Sequence, residues 1–275
     1  MTGHARGPWP VVAGASVQGR DHRAVGRENQ DAFSTRACQT HEALALAVSD
    51  GAGSQRRSAL GAHIAVDSAC RILTEGVPGP DRSADEWQSW LNQAALAIIG
   101  DYLRIAAVAA NPAVTANPAV SAEPLGELAA TLLAAVVCPP WAGFISVGDG
   151  FGAIFTAGPP EVCQVVLPPR IDPRGTDFLS SPWATDMLQC LVIQDPQLSG
   201  VMLATDGCVS LAFDHPAALG LGPAAGPQPS AAFFTGLAAA VRAADGDGEP
   251  IHRLLTGEPA GSCTDDLTVL CALAA

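Results

Sequence analysis

Basic residues are scarce in this chain. Lys and Arg together number 14 against 27 Asp and Glu, giving a net charge of −13. Nucleic acid demands clustered cations, so this balance weighs against it as the main partner. Charged residues are few altogether, at 15% against 48% hydrophobic. That composition excludes a disordered chain and fits a globular one. Long apolar runs are also missing. The longest candidate, Leu128–Cys138, falls short of the ~18–20 residues of a membrane span. It stops at Pro139-Pro140 and reads as a buried strand. Residues 1–10 are rich in Gly and Pro, lack the apolar core of a secretion signal, and are expected to be flexible. The cysteines (Cys38, Cys70, Cys138, Cys163, Cys190, Cys208, Cys263, Cys271) show neither C-x-x-C nor zinc spacing. Free, mostly buried thiols in a cytoplasmic protein are expected. No phosphate-binding glycine loop, G-x-S-x-G elbow or H-E-x-x-H pair occurs, which removes support from nucleotide-loop folds, serine hydrolases and zinc proteases.

What is present fits one domain over residues 1–275, a length that buries roughly 70–75% of the unfolded surface. Apolar or β-rich runs predict strands at Val11–Gln18, Ala43–Ser49, Thr131–Val137, Gly143–Val147, Ala153–Thr156, Val162–Leu167, Val201–Thr205 and Leu267–Leu273. Helical spacing covers Ser58–Leu73, with Leu60, Ile64, Ala65, Ala69 and Ile72 on the apolar side. Ser83 and Glu86 form a capping box that opens a helix from about Asp85 to Ala110. Residues 231–244 predict a third helix. Residues 110–124 carry Ala-Asn-Pro-Ala-Val twice and read as a loop insertion. Residues 168–185, rich in Pro, Asp and Ser, read as a flap. Asp245-Gly-Asp-Gly-Glu249 ends a helix; as a calcium loop it fails, having Pro250 and Thr256 where Gly and Glu are required. Helices set apart amid many strands, without regular βαβ alternation, indicate an α+β arrangement.

Three apolar runs end alike, at Asp50-Gly51, Asp149-Gly150 and Asp206-Gly207, and Asp265-Asp266 precedes the last strand. A single Asp-Gly is ordinarily a turn, because Gly tolerates positive φ and Asp bonds its own backbone. Three of them closing buried strands point elsewhere. Rigid strand ends hold carboxylates at fixed separations, and hard divalent cations want oxygen ligands there. Gly lets a backbone carbonyl approach such an ion. Two cations about 3.5–4 Å apart activate a water for in-line attack on phosphorus. The pattern reads as a multi-carboxylate metal site suited to phosphoryl chemistry.

Taken in order, Asn29-Gln-Asp-Ala-Phe33, Val48-Ser-Asp-Gly-Ala-Gly53, Ala129-Ala-Thr-Leu132, Val147-Gly-Asp-Gly150, Leu203-Ala-Thr-Asp-Gly207 and Thr264-Asp-Asp-Leu-Thr-Val269 resemble the type 2C protein serine/threonine phosphatases. Each is weak alone; the ordered set spans about residues 12–273. The opening Gly19-Arg-Asp-His22 looks like a bacterial branch. The resemblance implies a four-layer αββα sandwich, two mainly antiparallel β-sheets flanked by helices. It implies two divalent metals, Mn2+ or Mg2+, with a weaker third. Asp50 would bridge the pair and the Gly51 carbonyl would bind one metal. Asp206 and Asp265 would complete the other, Asp265 being preferred to Asp266 because it lies three residues before Thr268. Asp149 would serve the third metal, and Asp31 would orient bound water.

The implied reaction is hydrolysis of phosphoserine and phosphothreonine by a metal-bridging hydroxide. Implied partners are a phosphorylated protein and a serine/threonine kinase, with no nucleic acid or membrane and a monomeric state. The chain departs from the family pattern in three places. Gln30 replaces a frequent Glu, Ala52 replaces a His proposed as general acid in eukaryotic members, and Gly26 occupies the position of the phosphate-gripping Arg. His22, Arg20, Arg23 or Arg27 are candidates to replace that Arg; an Arg fork suits phosphate best, while the branch pattern favours His22. These departures leave two alternatives, a pseudophosphatase acting as a regulatory binding module and a small-metabolite phosphatase. His4, His41, His63, His215 and His252 are expected to be ordinary, as are Trp87 and Trp90 on one core-facing helix side.

Overall fold

The computed structural model describes residue 9 and residues 11–110, 125–170, 175–258 and 260–274. Twelve strands occur among them: β1 Val11–Val17, β2 Ala32–Ala37, β3 Leu44–Ser49, β4 Leu132–Cys138, β5 Trp141–Val147, β6 Phe151–Thr156, β7 Val162–Leu167, β8 Gln189–Gln194, β9 Leu198–Ala204, β10 Phe213–Asp214, β11 Gln228–Pro229 and β12 Leu267–Leu273. The α-helices are α1 Arg20–Ala24, α2 Ser58–Ile72, α3 Ala84–Ala110, α4 Val209–Ala212, α5 Leu237–Ala243 and α6 Glu249–Thr256.

Two five-stranded sheets carry the architecture, ordered β1-β12-β9-β6-β7 and β2-β3-β4-β5-β8, with every neighbouring pair antiparallel. β10 and β11 make a small separate ribbon. β3, β4, β5 and β9 are buried along almost their whole length, so they read as continuous apolar runs, not as alternation. One apolar layer, with Leu46, Val48, Phe144, Ile154, Leu203 and Leu270, fills the space between the sheets. A second joins the β3–β4 face to α2 and α3 through Ala65, Ala69, Leu91 and Ile98. A third joins the β9–β12 face to α5 and α6 through Phe151, Phe234, Val241 and Ile251. The expected αββα sandwich is the observed fold.

The capping box is formed. Glu86 Oε2 accepts from the Ser83 backbone N–H at 2.9 Å, and Ser83 Oγ accepts from the Glu86 N–H at 3.3 Å. It starts α3, which seats Trp87, Leu91, Ile98 and Tyr102 with no solvent exposure. Burial of each stabilises the fold by about 1.5–3 kcal/mol. Trp87 stacks on Trp141 of β5 with ring centroids 5.8 Å apart, and Trp90 meets Trp87 edge-on at 5.6 Å.

Several expectations are corrected. The helix Ala84–Ala110 is long and apolar enough, by length and composition, to cross a membrane, with mean hydropathy 1.4 over its best window. Asp101 and Arg104 interrupt its apolar residues, so no unbroken apolar run of that length occurs in it. Its buried face lies against α2, β5 and β8, as in a core helix. Leu60 is on the solvent side of α2, and Ala62 and Val66 take the core positions. β2, β8 and α6 were not anticipated. The 231–244 helix begins as a π-turn at Ala232–Gly236 before α5. Of the flap 168–185, residues 179–185 form turns and a bend, 175–178 are irregular, and 171–174 lie outside the described residues. The loop 111–124 and most of segment 1–10 also lie outside them. All eight cysteines are free thiols, four of them buried.

Candidate metal centre

Antiparallel pairing explains why acids far apart in sequence meet. In one sheet β3 lies between β2 and β4, with Ala32 opposite Ser49 and Val48 opposite Leu133. The end of β3 therefore sits beside the starts of both neighbours. Asp50 follows β3, Asp31 precedes β2, and Thr131 precedes β4. In the other sheet β9 lies between β6 and β12, with Ala204 opposite both Phe151 and Val269. Asp206 follows β9, Asp149 precedes β6, and Asp265 precedes β12. Both sheets deliver their acids to the same edge of the sandwich.

There, ligand oxygens of Asp50, Asp206 and Asp265 lie within 4.8 Å of one another. Asp265 joins this cluster and Asp266 does not. Asp266 is buried, and its oxygens accept from the backbone N–H of Gly19 at 2.6 Å, the N–H of Gln30 at 2.6 Å and His22 Nδ1 at 2.9 Å. Asp31 faces Asp50, and its Oδ2 accepts from the Thr205 hydroxyl at 2.8 Å. The Thr131 hydroxyl accepts from the Asp50 N–H at 2.9 Å. Asp149 Oδ2 accepts from the Thr176 hydroxyl at 2.5 Å.

This concentration of carboxylates is electrostatically strained. Burial, with the charge of Asp266 added, pushes the Asp31 carboxyl up to about 7 against the pull of its threonine hydrogen bonds. Burial together with Asp149 and Asp265 pushes Asp206 up to about 7. Asp50 is raised well above the carboxylate range by burial and by Asp31, Asp206 and Asp265. Asp149 is raised chiefly by burial. No arginine or lysine pairs with these four in any described contact. Asp31 Oδ1, Asp149 Oδ1 and Gln30 Oε1 are buried acceptors without a donor. Orphaned acceptors around clustered, uncompensated acids are the surroundings a hydrated divalent cation satisfies. The residues present fit such ions.

The glycines after the acids serve packing as well as access. None of Gly51, Gly150 and Gly207 has a positive φ, so the turn explanation does not hold. A Cβ on Gly51 would lie 2.6 Å from the Ser58 carbonyl, and one on Gly207 would lie 2.0 Å from the Asp266 carbonyl oxygen.

The candidate phosphate ligands are placed differently from one another. His22 is tucked against Asp266, and its Nε2 lies 3.6 Å from where a Gly53 Cβ would be. Arg20 stands at the surface with Nε on Asp21 at 3.2 Å. Arg27 donates to the Gly53 carbonyl. Asp266, Thr131, Thr176 and Thr205 were given no role from sequence, although Thr131 and Thr205 fall inside the quoted motifs. Asp266 was passed over for its neighbour.

Residues 18–249 match the family profile described as protein phosphatase 2C. No curated protein matches the sequence significantly. Among solved structures, the fold resembles serine/threonine phosphatase Stp1 from Staphylococcus aureus, at 11% identity, TM-score 0.56, covering 100% of each chain. It resembles serine-threonine phosphatase 2C from Toxoplasma gondii at 14% identity and TM-score 0.61, covering 98% of this chain and 97% of that one. It also resembles the catalytic domain of serine threonine protein phosphatase PstP in complex with two manganese ions. That match is at 16% identity and TM-score 0.55, covering 96% and 98%. The structural likenesses speak for the fold. The profile match, running through the segments that carry Asp31, Asp50, Asp149 and Asp206, places this chain in the protein phosphatase 2C family.

Proposed function

We propose that the protein is a metal-dependent phosphatase that hydrolyses phosphoserine and phosphothreonine in proteins. One observation carries the reading: Asp50, Asp206 and Asp265 converge within 4.8 Å at the shared edge of two sheets. Asp50 and the Gly51 carbonyl would hold one cation, and Asp50, Asp206 and Asp265 the other. Asp149 is available to a third. Manganese or magnesium would suit these all-oxygen donors. When bound, such ions supply Lewis-acid charge and a water-derived nucleophile at neutral pH.

The chain's own residues do the rest. Asp31 is fixed by the Thr205 hydroxyl and keeps Oδ1 free as an acceptor, so it orients a water beside Asp50. Gln30 offers a neutral buried acceptor where a charged one is common. Asp266 fixes His22 by its Nδ1, which leaves Nε2 to meet a substrate phosphate oxygen over Gly53. Arg20, exposed on α1, is better placed to draw the phosphate inward than to grip it. We read the protein as a cytoplasmic, monomeric signalling enzyme opposing a serine/threonine kinase.

The test is phosphate release from a phosphothreonine peptide with EDTA, then with added manganese, beside Asp50→Asn. Manganese-dependent release that the variant loses supports the reading. A folded parent protein that releases none with any metal overturns it.

A further inference from the structure

The five arginines at positions 20, 23, 27, 56 and 57 are more than a third of the 14 basic residues, in a chain of net charge −13. They fall on two neighbouring segments, α1 with the turn after it, and the turn leading into α2. Arg20 and Arg57 are engaged, with Asp21 and with the Ala109 carbonyl. Between the segments lies a cavity of about 640 Å³ lined by Gly26, Arg27, Glu28, Gln30, Gln55 and Arg56. It abuts the metal centre. Gln30, the wall they share, precedes Asp31, and its carbonyl accepts from the Gly51 N–H at 3.1 Å. Arg27 closes the other side by donating to the Gly53 carbonyl. Gln30 is itself held by its Nε2 on the Gln55 carbonyl at 3.2 Å.

Arg56 is exposed and has no hydrogen bond or ion pair among the described residues. Arg27 spends one N–H on Gly53 and keeps others from its five. Two guanidiniums against one Glu28 leave the cavity one positive charge in excess. That matches a single carboxylate better than a second phosphate, which carries about −1.5 to −2. A planar guanidinium takes a carboxylate through paired N–H donors. The rest of the acidic surface repels anionic segments, so this cavity is where an acidic side chain gains on approach.

The geometry points to a subsite for one Asp or Glu side chain flanking the phosphorylated residue of the substrate, held by Arg56 and Arg27. This rests on the phosphatase reading and gives it a substrate class: phosphosites with an acidic neighbour.

The experiment moves one Asp through each flanking position of an otherwise neutral phosphothreonine peptide. At one position kcat/KM should rise about fivefold over the Ala peptide, mainly through KM, the size of one partly exposed charged hydrogen bond. Arg56→Glu should abolish that preference and favour Lys at the same position. Binding of the same series made with non-hydrolysable phosphonates should show the same order. Equal constants for Asp and Ala at every position would overturn the subsite, as would an Asp preference surviving in Arg56→Glu. Manganese-dependent turnover of p-nitrophenyl phosphate by the parent protein reports on the phosphatase reading separately. If that turnover is absent, the phosphonate series still decides whether the cavity selects a carboxylate.

Discussion

Asp266 Oδ2 accepts a hydrogen bond from His22 Nδ1 at 2.9 Å, across 244 positions of sequence. The same carboxylate takes the Gly19 and Gln30 N–H groups, so it ties α1 and the start of β2 to the start of β12. Asp266 has no exposed side-chain surface, and the His22 side chain only 12%. Removing the carboxylate strands two backbone donors and the imidazole, each at about 1–3 kcal/mol. Asp266→Ala should therefore lose about 3 kcal/mol or more in urea unfolding. Asp266→Asn, which turns one acceptor into a donor facing a donor, should lose less. Both should raise KM for a phosphopeptide through the released His22. An Asp266→Ala protein with an unchanged urea midpoint would remove the tie from the account.

The acid cluster predicts an unusual pH dependence for the metal-free protein. Asp31 and Asp206 are raised to about 7, and Asp50 and Asp149 are raised as well. Between about pH 4 and 7 the folded state then holds protons that the unfolded chain has released. Stability from these groups is full below about pH 4 and is lost as pH rises through 7. In EDTA the urea midpoint should fall from pH 5 to pH 8, with an unfolding free energy lower by an amount on the order of a few kcal/mol. Manganese should restore it at pH 8 and do little at pH 5, where protons compete for the same oxygens. A midpoint in EDTA that rises steadily over this range would contradict the cluster as described.

Asp206→Asn separates catalysis from stability. It should reduce manganese-dependent turnover by about 100-fold or more, as loss of a group acting on the reacting centre does. The metal-free variant should melt higher than the parent, because one member of a like-charged group is gone. Turnover near the parent level with metal bound would show that Asp206 is not a ligand that matters. A lower melting temperature would show that its contacts with the Gly207 backbone outweigh the repulsion.

Much of this was legible because the acids follow or precede runs that could only be buried strands. β3 and β9 are mostly apolar and buried along their whole length, and antiparallel pairing then brings Asp31, Asp50, Asp149, Asp206 and Asp265 to one edge. β2 was hidden because only Ala32 of its six residues is buried, and β8 because none of its residues is buried, its middle four being half-buried and its ends exposed. α6 has eight residues, a Pro in its first turn and two buried positions, Ile251 and Leu255. Asp265 and Asp266 are indistinguishable by composition or period. What separates them is which one meets the Gly19 and Gln30 N–H groups, a long-range contact that no local pattern encodes.

Gly207 illustrates a further limit. An Asp-Gly pair suggests a turn needing positive φ, yet here the glycine is required by a backbone neighbour. Gly207→Ala should push the Asp206 turn away from the Asp266 carbonyl at a cost of about 1–3 kcal/mol. Manganese affinity, read by calorimetry, should fall with it. Unchanged affinity and stability together would mean that the turn yields freely.

The last prediction concerns the opposite end of the same strands. Arg242 of α5 donates to both oxygens of Glu161, at 2.9 and 2.7 Å, and to the Ala274 carbonyl at 2.8 Å. Glu161 also accepts from the Ser199 hydroxyl at 2.7 Å. Both charged side chains are only 23% exposed, between the limits where ion pairs count for little and where a broken pair costs about 3–5 kcal/mol. Arg242→Ala should lose about 2 kcal/mol, and a cycle with Glu161→Gln should show strong coupling between the two. Ser199 is the second residue of β9 and Asp206 follows the strand's end, roughly 20 Å away at the rise of an extended strand. Manganese-dependent turnover per folded molecule should therefore stay at the parent value while the urea midpoint drops. A fall in kcat matching the fall in stability would mean that α5 braces the metal centre through β9, and the two ends of the sandwich would have to be treated as one unit.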